Sequence, residues 1–231
     1  MASRLAVSAV LQSLYPVLLT ATDEQWADPG LNRSALRAAF AYASSAIAEA
    51  SRGDPSLREM ATTLAVTVHV GSRMVAGYSG DTRVYAYGTD LKLLSKDHSA
   101  AWPLVESGAV ELSELRHVGT RSMLTRFVSA ESASLEVAVH QAPKDTSFLL
   151  ATDGFWELFD SSELEALMAP LGGGACYQGA PEDVAEQLLS EALSRKPEDN
   201  ATFILIAPDS ARRRRTGRYP CVERSSVFVR T

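Results

Sequence analysis

Two aspartates stand where strand-like runs meet turns. Ser147-Phe148-Leu149-Leu150-Ala151-Thr152 leads straight into Asp153-Gly154, and Asp199-Asn200 opens the run Ala201-Thr202-Phe203-Ile204-Leu205-Ile206. A third carboxylate, Asp81 in Gly80-Asp81-Thr82-Arg83, follows another strand-like run. An apolar strand that carries a carboxylate at its tip is a rigid way to aim an oxygen ligand. Three such groups suggest a site for a hard divalent cation. The simpler reading of each is that Asp-Gly and Asp-Asn only make turns.

Other site chemistries fit poorly. The four histidines (69, 98, 117 and 140) form no His-x-His or His-Glu-x-x-His set, which argues against zinc. Cys176 and Cys221 have neither metal-ligand spacing nor the density of a disulfide scaffold, so a reducing cytoplasm is the expected location. The net charge of −6 is uneven. Residues 208–231 hold seven arginines against Asp209 and Glu223, a local charge of +5 that leaves −11 on the rest. An acidic body suits a divalent cation and argues against nucleic acid as the main partner.

With 231 residues, 46% of them hydrophobic and 22% charged, the chain has the composition of an ordinary globular protein. Residues 2–20 read as an amphipathic helix ending near Pro16 or just after it. Ser8, Gln12, Ser13 and Tyr15 interrupt the apolar run and argue against a signal peptide or stable membrane insertion. Residues 23–30 read as a polar loop, and Asn32 or Ser34 as the cap of a second helix with Leu36, Phe40, Ala43 and Ile47 inward. Period-two alternation then marks strands at 64–70 and 135–140, with hairpins between 74 and 94. Helices are expected at 99–108, 111–117, 161–171 and 181–195, a flexible connector at Gly172-Gly173-Gly174, and a last strand at 201–207. Hairpin strands with helices grouped before and after them predict an α+β fold. One domain over 1–208 and an arginine-rich tail over 209–231 are expected, the tail disordered because it buries little against the entropy of ordering.

Several ordered fragments together resemble the metal-dependent PPM (type 2C) serine/threonine protein phosphatases, bacterial members especially. They are Ala2-Ser3-Arg4-Leu5-Ala6, Thr62-Thr63-Leu64, Gly80-Asp81-Thr82-Arg83-Val84-Tyr85, Lys96-Asp97-His98-Ser99, Val105-Glu106-Ser107-Gly108, Leu124-Thr125-Arg126, Ala151-Thr152-Asp153-Gly154-Phe155-Trp156 and Asp199-Asn200-Ala201-Thr202. The resemblance implies a layered α-β-β-α sandwich of antiparallel sheets. It also implies two Mn²⁺ or Mg²⁺ ions whose bridging water attacks phosphoserine or phosphothreonine. Asp153 and Asp199 fall at its metal-ligand positions, and Asp81 at a peripheral metal position. Gly154 and Asn200 support the two loops. A phosphorylated protein is the implied substrate, and a serine/threonine kinase the implied opposing enzyme. Asp97-His98 reads as a structural turn, Arg83 and Arg126 as packed or paired, and Phe155 and Trp156 as core.

The sequence departs from the family in one large respect. An Arg…Asn-Glu-Asp segment and an Asp-Gly-x-Gly-Gly segment, which supply a phosphate-binding Arg and the remaining metal carboxylates, occur nowhere in it. The domain is therefore expected to be N-terminally incomplete. Either the chain is part of an active phosphatase, which is the favoured reading, or it is a pseudophosphatase that binds without turnover. Cysteine phosphatases need Cys-x5-Arg, and calcineurin-type enzymes Gly-Asp-x-His and Asn-His-Glu; none of these is present. The genomic reading frame checks the first expectation. Both motifs should lie in frame within about 30–60 codons upstream of Met1, and a stop codon directly before Met1 would favour the pseudophosphatase.

Overall fold

The computed structural model describes all residues except 27, 71, 144, 173–179, 198, 209–225 and 231. In chain order the helices and strands are α1 (Ala2–Thr20), α2 (Asp23–Trp26), α3 (Pro29–Gly53), β1 (Ala61–Thr62), β2 (Leu64–Val70), β3 (Arg73–Ser79), β4 (Arg83–Tyr87), β5 (Leu91–Leu93), α4 (Trp102–Glu106), β6 (Val128–Ser129), β7 (Glu136–Gln141), β8 (Ser147–Ala151), α5 (Asp153–Trp156), α6 (Ser161–Met168), α7 (Pro181–Ser194), β9 (Phe203–Ala207) and β10 (Ser226–Arg230). They group into two compact units. One holds Met1–Thr82 with Asp97–Gln141, the other Arg83–Lys96 with Ala142–Thr231.

In the first unit, α1 and α3 pack along their apolar stripes. Ala2, Ala6, Ala9, Val10 and Leu14 recur at helical spacing and meet Leu36, Phe40, Ala43 and Ile47 in one buried cluster with Leu64, Val68 and Val75 of the sheet. Alanine at three of the five buried α1 positions keeps side chains short where the helix is inward. The sheet is antiparallel in the order β2-β3-β7, a hairpin joined by a strand from later in the chain, with a separate β1-β6 pair. α1 runs through Pro16 to Thr20, the span expected for it. Thr20 Oγ1 donates to the Pro16 carbonyl at 2.9 Å, which helps close the last turn. The helix expected to be capped by Asn32 or Ser34, α3, starts earlier than expected. Asp28 caps it by accepting from Gly30 N at 3.0 Å, and Pro29 is pre-set for the first turn. Asn32 is instead buried and donates to the Trp26 carbonyl at 2.9 Å, and the loop expected at 23–30 holds the short α2.

In the second unit the antiparallel order is β10-β9-β8-β4-β5. Ser147–Ala151 has no alternation, and every residue of β8 is buried. Leu149, Phe155, Phe203, Leu205, Leu164, Met168 and Leu188 form the core under α6 and α7. A capping box starts α6: Asp160 Oδ1 accepts from Glu163 N at 2.8 Å, and Glu163 Oε2 accepts from Asp160 N at 2.9 Å. Arg195, just beyond α7, donates to both Glu163 carboxylate oxygens at 2.9 and 3.0 Å and to the Leu158 carbonyl, joining the two helices. Of the tail expected to be disordered, Ser226–Arg230 is a strand in register with β9, consistent with the β-forming Val227, Phe228 and Val229. Residues 209–225, Cys176 and most of the expected glycine connector lie outside the described residues.

Two measurements test this packing. Asp160→Ala should cost about 1 kcal/mol in urea unfolding through loss of the cap, while Leu149→Ala, which empties a fully buried site, should cost about 2–5 kcal/mol. Burial also lowers the pKa of His69, His98 and His140 below the ordinary histidine value of 6.5. The unfolded chain therefore binds protons first as pH falls. Stability should be level above about pH 7 and decline as pH drops through 6.5 toward the lower folded-state values. Urea midpoints measured across this range give the check, and a midpoint that rises on acidification would contradict the sign.

Candidate metal site

β8 and β9 are neighbours in register, Leu149 opposite Leu205 and Ala151 opposite Phe203. The two Asp-bearing loops thus leave the sheet at the same end. Thr152 stitches them together. Its amide donates to the Thr202 carbonyl at 3.0 Å, and its Oγ1 accepts from Thr202 N at 3.1 Å. Gly154 then passes so close to the other loop that a Cβ there would stand 2.7 Å from the Asn200 carbonyl oxygen and 3.4 Å from the Asp199 carbonyl carbon. No other residue type fits without displacing backbone.

Each carboxylate is oriented by the amide that follows it. Asp153 Oδ1 accepts from Gly154 N at 2.9 Å, and Asp199 Oδ1 from Asn200 N at 2.6 Å. Asp153 is half-buried and Asp199 exposed. The second oxygen of each is left for a ligand. Beneath them Phe155 and Trp156 are core, as expected, with Phe155 tilted against Phe203 at a ring separation of 4.6 Å. Arg83, read as packed or paired, is both: its guanidinium lies 3.5 Å over the Trp156 ring and donates to Tyr85 Oη at 3.3 Å.

Asp81 belongs to the other unit. It is buried, 9% exposed, and follows Gly80, whose φ of +101° lies in the region that glycine alone enters easily. A Cβ at Gly80 would also sit 2.4 Å from the Thr63 methyl. His98 braces this turn. Its Nδ1 accepts from Gly80 N at 3.1 Å, and its own amide donates to the Gly80 carbonyl at 3.0 Å. Asp97-His98 is therefore a structural element, as read. His98 also stacks on Tyr78 and meets Glu136 at 3.2 Å, and Arg126, 45% exposed, pairs with the same Glu136 oxygen at 3.5 Å. Sequence reasoning missed Tyr78 and Glu136. Only their cross-strand register, Tyr78 opposite Glu136, makes them neighbours.

The sequence-proposed residues Asp153, Gly154, Asp199 and Asn200 thus come together within one unit. As oxygen donors, two carboxylates suit one divalent cation that takes its remaining ligands from elsewhere. They do not by themselves fit a bridged pair of ions, and among the described residues no three His, Cys, Asp or Glu side chains converge as a ligand set.

The comparisons with known proteins bear on the same question. The model of the family described as protein phosphatase 2C matches residues 1–194. The serine/threonine phosphatase stp of Listeria monocytogenes is 26% identical over 162 residues, covering 69% of this chain and 61% of that protein. The chain thus spans about three fifths of the length of the Listeria relatives it matches. Among solved structures, the Mycobacterium tuberculosis serine/threonine phosphatase PstP/Ppp has a TM-score of 0.71 at 22% identity, over 90% of this chain and 83% of that one. The catalytic domain of PstP in complex with two manganese ions has a TM-score of 0.67 at 22% identity, over 88% and 79%. These likenesses establish the α+β fold of such phosphatases. Asp199 lies beyond the family-matched stretch, so its place beside Asp153 rests on the β8–β9 ladder and the Gly154 approach. On the extent of the family match, this chain belongs to the protein phosphatase 2C family.

Proposed function

We propose that the chain takes part in metal-dependent hydrolysis of phosphoserine and phosphothreonine on proteins. The observation that carries this reading is the joining of the Asp153 and Asp199 loops through Thr152 and the Gly154 approach, in a chain of this family. Mn²⁺ or Mg²⁺, when bound, would supply positive charge against the phosphoryl oxygens and lower the pKa of an attacking water. The chain's own part is to present Asp153 and Asp199 with their Oδ1 atoms already held, so that binding costs little reorganisation. The manganese-bound PstP structure supports the choice of metal. The substrate would be a phosphoprotein made by an opposing serine/threonine kinase, and the cytoplasm is the proposed location. Length and apolarity alone would let α1 cross a membrane, but Ala6, Ala9, Val10 and Leu14 on its inward face are core residues of the first unit.

One observation favours a second reading, a binding module without turnover: among the described residues no three His, Cys, Asp or Glu side chains converge as a ligand set. The two readings separate in solution. For the 231-residue chain, calorimetry should show weak Mn²⁺ binding, and phosphopeptide hydrolysis should be slow. Under the enzyme reading, that hydrolysis collapses with EDTA and falls at least about a hundredfold in Asp153→Asn and in Asp199→Asn. Asp81→Asn should cost less, because the family resemblance puts it at a peripheral position. Hydrolysis that is absent, or indifferent to EDTA, would establish the binding-module reading. Tight binding of two ions would overturn the ligand count.

A further inference from the structure

In the first unit, Glu136 on β7 sits at the centre of a polar chain that ends at the Gly80–Asp81 turn. Its Oε1 accepts from Tyr78 Oη at 2.9 Å, and its Oε2 meets His98 Nε2 at 3.2 Å and Arg126 Nη1 at 3.5 Å. The far side of the imidazole contacts Gly80 N at 3.1 Å. A backbone N–H can only donate, so Nδ1 must carry its lone pair and the proton of the neutral ring must sit on Nε2. That proton needs an acceptor, and Glu136 supplies it. His98 is 7% exposed and its ring is stacked on Tyr78 at 5.3 Å and 18°, so the ring plane is fixed as well as the tautomer.

We infer that Glu136 is a positioning residue: through His98 it reserves Nδ1 as the acceptor that holds the left-handed Gly80 turn, and so sets the place of Asp81. The same carboxylate tethers Arg126, whose neighbour Thr125 donates its amide to the His98 carbonyl at 2.8 Å. One side chain therefore ties the Asp81 turn and the Thr125-Arg126 segment to the sheet. The charged groups that act on the imidazole are Glu136 and Asp97, which favour its cation, and Arg126, which opposes it. Burial outweighs them and keeps the ring below the ordinary histidine pKa, in the neutral form that the geometry requires. The relay itself does not depend on turnover; its value for Asp81 as a metal-site residue rests on the phosphatase reading.

The test uses the full ¹⁵N-labelled chain without metal, so its outcome is independent of whether the chain hydrolyses anything. Long-range ¹H–¹⁵N spectra should show His98 as the Nε2–H tautomer, with Nδ1 unprotonated. Glu136→Ala should move the ring toward the other tautomer and speed Gly80 amide exchange roughly fivefold or more, as loss of one hydrogen bond predicts. Glu136→Gln keeps an acceptor oxygen and should restore both signals, while the Arg126 guanidinium resonances shift because the carboxylate charge is gone. A merely structural role would not produce rescue in one signal with loss in the other. Should Glu136→Ala fail to fold, the wild-type tautomer and the Glu136→Gln spectra still decide. A wild-type Nδ1–H tautomer would overturn the inference. So would Glu136→Ala with unchanged His98 and Gly80 signals, or Glu136→Gln with unchanged Arg126 signals.

Discussion

The backbone of Gly154 touches the backbone of Asn200, and the candidate site depends on that contact. A main-chain approach this close cannot form by side-chain recognition. It requires β8 and β9 to be paired in the right register, Thr152 to bridge the loops, and position 154 to lack a Cβ. Register follows from burial. β8 is buried on both faces, and a one-residue slip of β9 would exchange the places of Phe203 and Ile204. The core of the second unit thereby determines where the two Asp-bearing loops meet. Leu149, Phe203 and Leu205 position those loops from within the core.

The parts of the fold carried by local pattern were legible in the sequence. Period-two alternation marked β2 and β7, and continuous apolarity marked β8 as buried on both faces. The place of Asp153 directly after β8 was legible from the apolar run before it, whereas the need for glycine at 154 comes from the Asn200 backbone, a tertiary neighbour that local pattern does not show. Other features set by tertiary partners were not legible either. Asp28 won the cap from Asn32 and Ser34 because Pro29 follows it and because Asn32 has a buried partner in the Trp26 carbonyl. β10 could not be read from a composition dominated by arginine, although its Val-Phe-Val centre is strand-forming. Glu136 was the hardest to see. In β7 it looks like an outward polar residue, and only its place opposite Tyr78 makes it a partner of His98.

The shortage of ligands at the Asp153–Asp199 pair has a simple electrostatic meaning. Two carboxylates neutralise one dication, and a second dication held a few ångströms away would face mostly uncompensated repulsion. Under the proposed function, a two-ion site would need carboxylates from other segments as well. The part that the second unit would contribute is preset: the Asp153 and Asp199 loops are fixed to the sheet and their Oδ1 atoms are already engaged.

Trp156 gives the Asp153 loop an optical property. The chain has three tryptophans, and the other two, Trp26 and Trp102, belong to the first unit. The Trp156 indole is 5% exposed, carries the Arg83 guanidinium on its face at 3.5 Å, and shares the single helical turn of α5 with Asp153. A fixed cation over an indole shifts its excited-state energy, so this ring emits in a field of the protein's own making. Changes at the Asp153 turn that tilt α5 alter that field directly. The second unit thus contains an intrinsic fluorophore for its own carboxylate loop, with no extrinsic dye needed to follow it.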